Sequence, residues 1–216
     1  MTVEEVVRKI GEVGIVPVIR AQSLQVASLA VDAVCAGGIP IVEITMTVPN
    51  AIEVIRQVVN QYGKSVLTGA GTVTTPDQAH SCIEAGAQFL VSPGLSKEVL
   101  QLAASENVLA IPGVFTPTEI MAAQELGSSL MKIFPCGSAG GARHIKALKG
   151  PFPKVGMIPT GGVTLANAAE YIAAGAFALG IGSELVNEAA LCEGRNSHVA
   201  DCARQFSEAV RRARGV

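Results

Sequence analysis

The sequence predicts an α/β fold, a (β/α)8 TIM barrel with an extra N-terminal helix, from three observations. The first is a set of eight short, β-branched runs, each bounded by Gly, Pro or a polar residue. Continuous apolar runs of this length indicate parallel strands that are buried on both faces. The runs lie at 14–20, 40–46, 65–72, 87–93, 107–114, 129–135, 154–160 and 177–183.

The spacers between the runs supply the other two observations. Most carry helical periodicity with cap signals, as at Ser23 and at Thr75, which is followed by Pro76 and the acidic Asp77. Four spacers contain a Gly a few residues before the next strand, at 37, 86, 127 and 175. Strand starts recur at roughly 20–25 residues with no linker, so eight units favour a closed barrel over an open, doubly wound sheet.

The two ends of the chain complete this prediction. Residues 2–13 form a charged, amphipathic segment that predicts a helix before the first strand. The tail from about Asn196 to Arg214 predicts a closing helix. We therefore predict one domain over residues 1–216, since barrels of up to about 250 residues form single domains.

Composition excludes several classes of partner. The net charge is −2, so the chain lacks the excess of positive charge that is typical of nucleic-acid-binding proteins. No apolar run approaches the length of a membrane span, and the N-terminus lacks the pattern of a signal peptide. Five cysteines without a C-x-x-C pair indicate the reducing cytoplasm. We expect a small-molecule partner, with no nucleic acid and no membrane.

Polar residues cluster at the carboxyl ends of the predicted strands, where barrels of this type carry their active sites. Side chains alternate along a strand, so Glu43 and Lys132 meet in one interior if their faces point inward. The candidate residues are Arg20, Glu43, Thr45, Thr72, Lys132, Phe134, Thr160 and Ser183.

Lys132 is the sharpest candidate, because it interrupts the apolar run 129–135. A buried amine loses its proton more readily than an exposed one, and a neutral amine forms a Schiff base with a ketone. With Glu43 as a proton shuttle, the pair predicts carbanion chemistry next to a carbonyl. Two alternatives stay open: Lys132 on the outer surface, and Glu43 as a simple counter-ion to Arg20 or Lys132.

Two glycine-rich turns follow the last two predicted strands, PTGGV at 159–163 and GIGS at 180–183. Exposed backbone N–H groups in such turns bind anions, and this fold commonly holds phosphate there. Gly161, Gly162, Gly182 and Ser183 are thus candidate phosphate-binding residues, although glycine can also serve only to make a tight turn.

Metal and thiol chemistry receive little support. The three His residues, at 80, 144 and 198, lie apart and form no H-x-H or H-E-x-x-H motif, so we expect no metal and no cofactor. Cys136 lies near the predicted site, where we expect a small buried thiol rather than a nucleophile.

With these residues in view, the chain resembles the bacterial 2-keto-3-deoxy-6-phosphogluconate (KDPG) / 4-hydroxy-2-oxoglutarate (KHG) aldolase family. The resemblance implies a metal-independent class I aldolase, commonly a homotrimer. It covers nearly the whole chain, through VPVIR (16–20), GGIPIVEITM (37–46), LTGAGTV (67–73), AGAQFLVSPG (85–94), IPGVFTPTE (111–119), MKIFP (131–135), IKALKGPFP (145–153) and PTGGV (159–163).

The resemblance also implies roles. Lys132 matches the Schiff-base lysine, and Glu43 matches the general acid/base. The remaining matches are to the substrate: Thr72 to the pyruvate carboxylate, Arg20 to the ligand, Pro93 and Phe134 to the pocket walls, and Thr160, Gly161, Gly162 and Ser183 to the tail and its phosphate. Thr45, on the second predicted strand, is a further candidate substrate-binding residue.

Two positions depart from the family pattern. Thr47 stands where well-known KDPG aldolases carry an Arg that grips the carboxylate, so that contact is lost or passes to Arg20. Glu184 stands where a Trp is frequent, and a carboxylate there would repel phosphate unless it points outward.

The predicted reaction is cleavage of a 2-keto-4-hydroxy acid, KDPG first, to pyruvate and an aldehyde such as glyceraldehyde 3-phosphate. The galactonate isomer (KDPGal) and KHG are alternative substrates. A sugar-phosphate decarboxylase or epimerase is disfavoured because the D-x-K-x-x-D array is absent. A non-catalytic barrel that binds keto acids or phosphosugars is the non-enzyme alternative.

Overall fold

The structure is a computed structural model that describes residues 1–215. Residue 216, the last of the predicted domain, lies outside the described residues. The helices are α1 (Val3–Val13), α2 (Leu24–Ala36), α3 (Ala51–Tyr62), α4 (Pro76–Glu84), α5 (Lys97–Ser105), α6 (Pro117–Glu125), α7 (Ala142–Lys149), α8 (Ala168–Ala173), α9 (Glu188–Cys192) and α10 (Asn196–Arg214). The strands are β1 (Ile15–Ile19), β2 (Ile41–Thr45), β3 (Leu67–Gly71), β4 (Phe89–Val91), β5 (Leu109–Ile111), β6 (Gly113–Val114), β7 (Leu130–Ile133), β8 (Gly156–Pro159) and β9 (Leu179–Ile181).

The strands form parallel sheets, which confirms the α/β class. Six strands form a curled sheet in the order β5-β4-β3-β2-β1-β9, and three form a second sheet in the order β6-β7-β8. Every predicted run contains a strand, but the run 107–114 is divided into β5 and β6 at Pro112. Proline has no N–H and cannot continue the ladder, while its carbonyl accepts a hydrogen bond from the Lys132 N–H at 2.9 Å.

The predicted terminal helices and caps are present. Helices α1 and α10 occupy the expected segments, and the hydroxyls of Ser23 and Thr75 cap α2 and α4. The Arg214 guanidinium at the end of α10 donates hydrogen bonds to the carbonyls of Gly11 and Phe177, both at 2.7 Å. Helix α10 therefore fastens α1 to the segment that leads into β9.

The core is largely aliphatic, because aromatic residues make up only 4% of the chain. Every residue of β1, β2 and β3 is buried, as expected for parallel strands covered on both faces. No helix within residues 1–215 is long and apolar enough to cross a membrane. Few polar residues enter this core, and the buried ones are Glu43, Thr45, Thr68, Ser92, Lys132 and Thr160.

Candidate active site

Glu43 and Lys132 lie on different sheets yet meet in the interior. Glu43 is the middle residue of β2, and Lys132 lies on β7. Lys132 Nζ is 4.0 Å from Glu43 Oε1, and the two side chains are 4% and 3% exposed. The predicted encounter of the two residues is thus observed, and the surface alternative for Lys132 is wrong.

The Glu43 carboxylate is in an unusual electrostatic environment. Burial raises its pKa, while the positive charges of Lys132 and Arg20 oppose that shift. Glu43 Oε1 has no hydrogen-bond partner. A buried oxygen without a partner destabilises the fold, and perturbed titratable groups of this kind concentrate at functional sites. The arrangement suits a group that exchanges protons with a bound molecule.

Glycines of β3 make the space that Glu43 occupies. Glu43 pairs in register with Gly69, and Thr45 pairs with Gly71. A Cβ atom added to Gly71 would overlap Glu43 Oε1. The sequence analysis gave Gly71 no role in the site. The signal that could have found it is the alternation Gly69, Ala70, Gly71, which lies next to the strand that carries Glu43.

Of the other residues at the strand ends, Phe134 contacts the pair directly and Thr45 is bonded to its own neighbours. Lys132 Nζ lies 5.1 Å from the centre of the Phe134 ring, so the aromatic face packs against the end of the lysine side chain. The Thr45 hydroxyl donates to the Ile19 carbonyl at 3.0 Å and is 2.7 Å from the exposed Thr47 hydroxyl. Both Thr45 and Thr47 are therefore already engaged with neighbours.

Thr72 and Pro93 follow β3 and β4. Thr72 has a positive φ of 58°, a strained conformation for a β-branched residue that is characteristic of functional sites. Pro93 is exposed. Neither residue lines the pocket described next, although both had been predicted to contact the substrate.

A pocket of about 120 Å³, which we call the glycine pocket, is lined in part by Phe134, the ring that faces Lys132 Nζ, although neither Glu43 nor Lys132 lines it. It brings together all four predicted phosphate-binding residues, which come from the turns after β8 and β9. Its lining residues are Val18, Arg20, Phe134, Thr160, Gly161, Gly162, Val163, Gly180, Gly182, Ser183 and Glu184.

Close backbone packing shapes the wall of the glycine pocket. Gly161 and Gly162 have φ of 85° and 81°, values that favour glycine. The Gly137 N–H donates to the Gly161 carbonyl at 2.8 Å. A Cβ atom on Gly162 would come within 2.9 Å of the Gly137 Cα atom, so no side chain fits between the two loops.

Arg20 and Glu184 place opposite charges on the lining of the glycine pocket. Burial raises the pKa of the Cys202 thiol, and the negative charge of Glu184 raises it further. The Cys202 thiol on α10 also donates to the Glu184 carbonyl oxygen at 3.2 Å, so the turn that carries Glu184 contacts α10 as well as lining the pocket. Glu184, one of the two residues that depart from the family pattern, therefore lines the glycine pocket.

Neither a metal-ligand cluster nor a disulfide is present among the residues that the structure describes. Within residues 1–215 no group of three or more His, Cys, Asp or Glu side chains is placed to hold a metal ion. The thiols of Cys35, Cys82, Cys136, Cys192 and Cys202 are free.

The comparisons with known proteins agree over most of the chain. A model of the family described as "KDPG and KHG aldolase" matches residues 3–202. The chain belongs to the KDPG and KHG aldolase family. It is therefore an aldolase, which is a carbon–carbon lyase.

Curated relatives of this aldolase differ in the substrates their names give. The KHG/KDPG aldolase of Escherichia coli K12 is 35% identical over 197 residues, covering 91% of this chain and 92% of the relative. The 2-dehydro-3-deoxy-6-phosphogalactonate aldolase of the same strain is 34% identical, covering 91% and 96%.

A solved structure is also similar to this aldolase. The crystal structure of KDPG aldolase from Legionella pneumophila, with pyruvate captured as a covalent carbinolamine intermediate, has a TM-score of 0.86. It is 34% identical and covers 92% of this chain and 96% of that one.

Proposed function

We propose that this aldolase cleaves a 2-keto-4-hydroxy acid by a class I mechanism, with Lys132 as the Schiff-base residue and Glu43 as the general acid/base. The observation that carries the proposal is the buried pair, with Lys132 Nζ 4.0 Å from Glu43 Oε1. KDPG is the first candidate substrate, to give pyruvate and glyceraldehyde 3-phosphate. KDPGal and KHG are the alternatives.

The reaction begins when Lys132 Nζ attacks the C2 ketone carbon, and loss of water converts the carbinolamine to an iminium. Glu43, directly or through a water molecule, removes the proton of the C4 hydroxyl. The C3–C4 bond then breaks, its electron pair moves to the iminium to form an enamine, and the aldehyde leaves. Glu43 returns the proton to C3, and hydrolysis releases pyruvate and the free amine.

The remaining residues bind the substrate in this proposal. Arg20, Thr45, Thr72, Pro93, Phe134 and Thr160 contact the keto acid, whereas Gly161, Gly162, Gly182 and Ser183 hold the distal phosphate. The glycine pocket supports the second assignment, because its lining combines backbone N–H groups, a hydroxyl and the Arg20 guanidinium.

We further propose that residues 1–216 form one closed (β/α)8 barrel domain. Two contacts across the sheet edges support closure. Thr160, which follows β8, forms a parallel bridge with Gly180 of β9, and the N–H of Lys132 on β7 donates to the carbonyl of Pro112, which joins β5 to β6. The resemblance to the family supports a homotrimer, and the five free thiols support a cytoplasmic location.

Borohydride trapping tests the mechanism. The protein is incubated with pyruvate and borohydride, and the peptides are mapped by mass. We expect a reduced pyruvate adduct on Lys132, with none in Lys132→Met and full labelling in Lys146→Met, which removes an exposed lysine of α7. An adduct on another lysine, or no adduct, would contradict the Schiff-base assignment.

A substrate panel with a coupled pyruvate assay distinguishes the alternatives. The panel contains KDPG, KDPGal, their unphosphorylated forms and KHG. We expect KDPG to give the highest kcat/KM of the panel. We also expect EDTA to leave that value unchanged. Ligand binding without pyruvate release would instead indicate a non-catalytic binding barrel, and loss of activity in EDTA would indicate a metal enzyme.

A further inference from the structure

Strands β1 and β9 separate where the glycine pocket begins. Their parallel ladder ends at the pairing of Pro17 with Ile181. Beyond that pair, β1 runs on into residues 20–23, which we call the β1 turn, whereas β9 passes directly into residues 182–187, the β9 turn. Both turns contribute to the pocket lining, the first through Arg20 and the second through its first three residues. The distance between the two turns therefore sets the shape of the pocket on this side.

The β9 turn is held in place, whereas the β1 turn is exposed. The N–H groups of Leu185 and Val186 donate to the Gly182 carbonyl at 3.0 and 2.9 Å, and both side chains are buried. In the β1 turn, Arg20 and Gln22 are exposed. The β9 turn can therefore serve as a fixed support for the β1 turn.

A hydrogen bond joins the β1 turn to the residue that follows the β9 turn. Glu188, the first residue of α9, accepts the Gln22 N–H through Oε1 at 2.6 Å. Within residues 1–215, no other hydrogen bond links residues 20–23 with residues 182–188. Carboxylates form shorter and stronger bonds to N–H groups than neutral acceptors do. Because Gln22 is two residues from Arg20, this bond holds the backbone that carries the guanidinium.

The chemistry of the glycine pocket makes the spacing of the two turns important. Arg20 supplies positive charge to the lining, and Gly182 and Ser183 supply backbone N–H groups from the β9 turn. A guanidinium and N–H groups bind one phosphate or carboxylate together only when their separation matches the anion. A long arginine side chain on an exposed turn loses conformational freedom on binding, so a bond that already fixes its backbone reduces that loss.

We propose that Glu188 is a positioning residue for the anionic tail of the substrate, the part beyond C4. Its carboxylate ties the β1 turn to the β9 turn and so fixes the backbone of Arg20 relative to Gly182 and Ser183. The Glu188 side chain does not line the glycine pocket, so it acts through Gln22 rather than by touching the substrate. This inference rests on the proposed aldolase function.

Three substitutions of Glu188 in the full chain separate the hydrogen bond from the charge. Glu188→Ala removes both, Glu188→Gln keeps an acceptor oxygen without the charge, and Glu188→Asp keeps the charge but draws the oxygen back by one carbon. For the best substrate of the panel, we expect KM to rise about fivefold in Glu188→Ala, the usual effect of losing one hydrogen bond. Glu188→Asp should raise KM by a similar factor, and Glu188→Gln should stay within about twofold of wild type.

Two further readouts distinguish positioning from a general loss of structure. Both kcat and the rate of borohydride trapping with pyruvate, which has no tail, should stay within about twofold of wild type in all three variants. Glu5→Ala is the matched control, because the Glu5 carboxylate accepts the Thr2 N–H at 2.8 Å, a bond of the same kind at the start of α1 and outside the glycine pocket. This control should leave KM unchanged.

The results that would overturn the proposal are distinct from those expected. If Glu188 acted only by repelling the anion, Glu188→Ala and Glu188→Gln would both lower KM, and Glu188→Asp would leave it unchanged. Equal KM in wild type and Glu188→Ala, or slowed pyruvate trapping in that variant, would also contradict a positioning role. If Glu188→Ala does not fold, the contrast between Glu188→Gln and Glu188→Asp decides the question.

Arg20→Met shows whether Glu188 acts through Arg20. The double variant with Glu188→Ala should have a KM close to that of Arg20→Met alone, because no guanidinium is left to position. Additive effects on KM would contradict the proposal. A wild-type protein that neither traps pyruvate nor releases it would instead refute the proposed function, which distinguishes the two failures.

Discussion

The Glu43–Lys132 pair and the glycine pocket adjoin each other but are built in opposite ways. The pair consists of charged side chains on β2 and β7, each almost completely buried. Most of the residues that line the pocket come from the turns after β8 and β9, and Gly162, Ser183 and Glu184 are exposed. Rigid strands hold groups that must meet at a fixed distance, whereas turns on the same framework can vary with the substrate.

This difference separates the expected effects of mutation. Changes to the buried pair should lower kcat, because those groups act on the reacting bonds. Changes to the glycine pocket should act mainly on KM, because the pocket touches parts of the substrate that do not react.

The largest effect is expected for Lys132→Met. Removing the amine eliminates the covalent intermediate, so kcat should fall by about 10⁴-fold or more, as for the loss of other covalent nucleophiles. Steady-state pyruvate release measures this loss, and Lys146→Met should retain wild-type kcat. Residual activity within tenfold of wild type would show that another group performs the chemistry.

Glu43→Gln should lower kcat by about 10²- to 10⁴-fold, the usual contribution of a general acid/base. Unlike Lys132→Met, this variant keeps the amine, so pyruvate should still form a borohydride-trapped adduct on Lys132. Loss of trapping together with turnover would mean that Glu43 is needed to form the Schiff base rather than only to move the later proton.

The pH dependence of the wild type follows from the same carboxylate. Burial raises the pKa of Glu43 above its ordinary value of 4.5. As the pH falls, Glu43 therefore becomes protonated, and stops acting as a base, at a higher pH than an exposed glutamate would. The acid limb of kcat/KM should therefore lie above pH 4.5. An acid limb at or below that value would argue against Glu43 as the base.

The two regions also differ in how far the sequence could predict them. Glu43 and Lys132 were found because charges inside apolar strands are conspicuous and strand alternation fixes their direction. The division of the fifth run at Pro112 depended on hydrogen bonds to a neighbouring strand, which periodicity does not report. The contact between Gly137 and Gly162 joins distant parts of the chain, so the tight packing of those loops required the structure.

Gly162→Ala should have a moderate effect that is confined to the tail of the substrate. Its Cβ atom would crowd Gly137 Cα, so we expect KM to rise about tenfold, equivalent to about 1.4 kcal/mol, with little change in pyruvate trapping. Gly127→Ala is the matched control, because it has a similar φ of 85° but open space around it. A similar rise in KM for both variants would assign the effect to backbone strain rather than to the pocket.

Glu184→Gln should have the smallest effect, and its direction is informative. A carboxylate on the lining of the glycine pocket repels a phosphate dianion, but the pocket is open to water, where two charges at 4 Å interact by about 1 kcal/mol. Removing the charge should therefore lower KM for phosphorylated substrates by about two- to fivefold and leave KM for their unphosphorylated forms unchanged. Glu125→Gln, an exposed position on α6, should change neither. Because salt screens charges, the difference in KM between wild type and Glu184→Gln should become smaller as salt is added. An equal change in KM for both kinds of substrate would show that Glu184 acts through the shape of its turn and not through its charge.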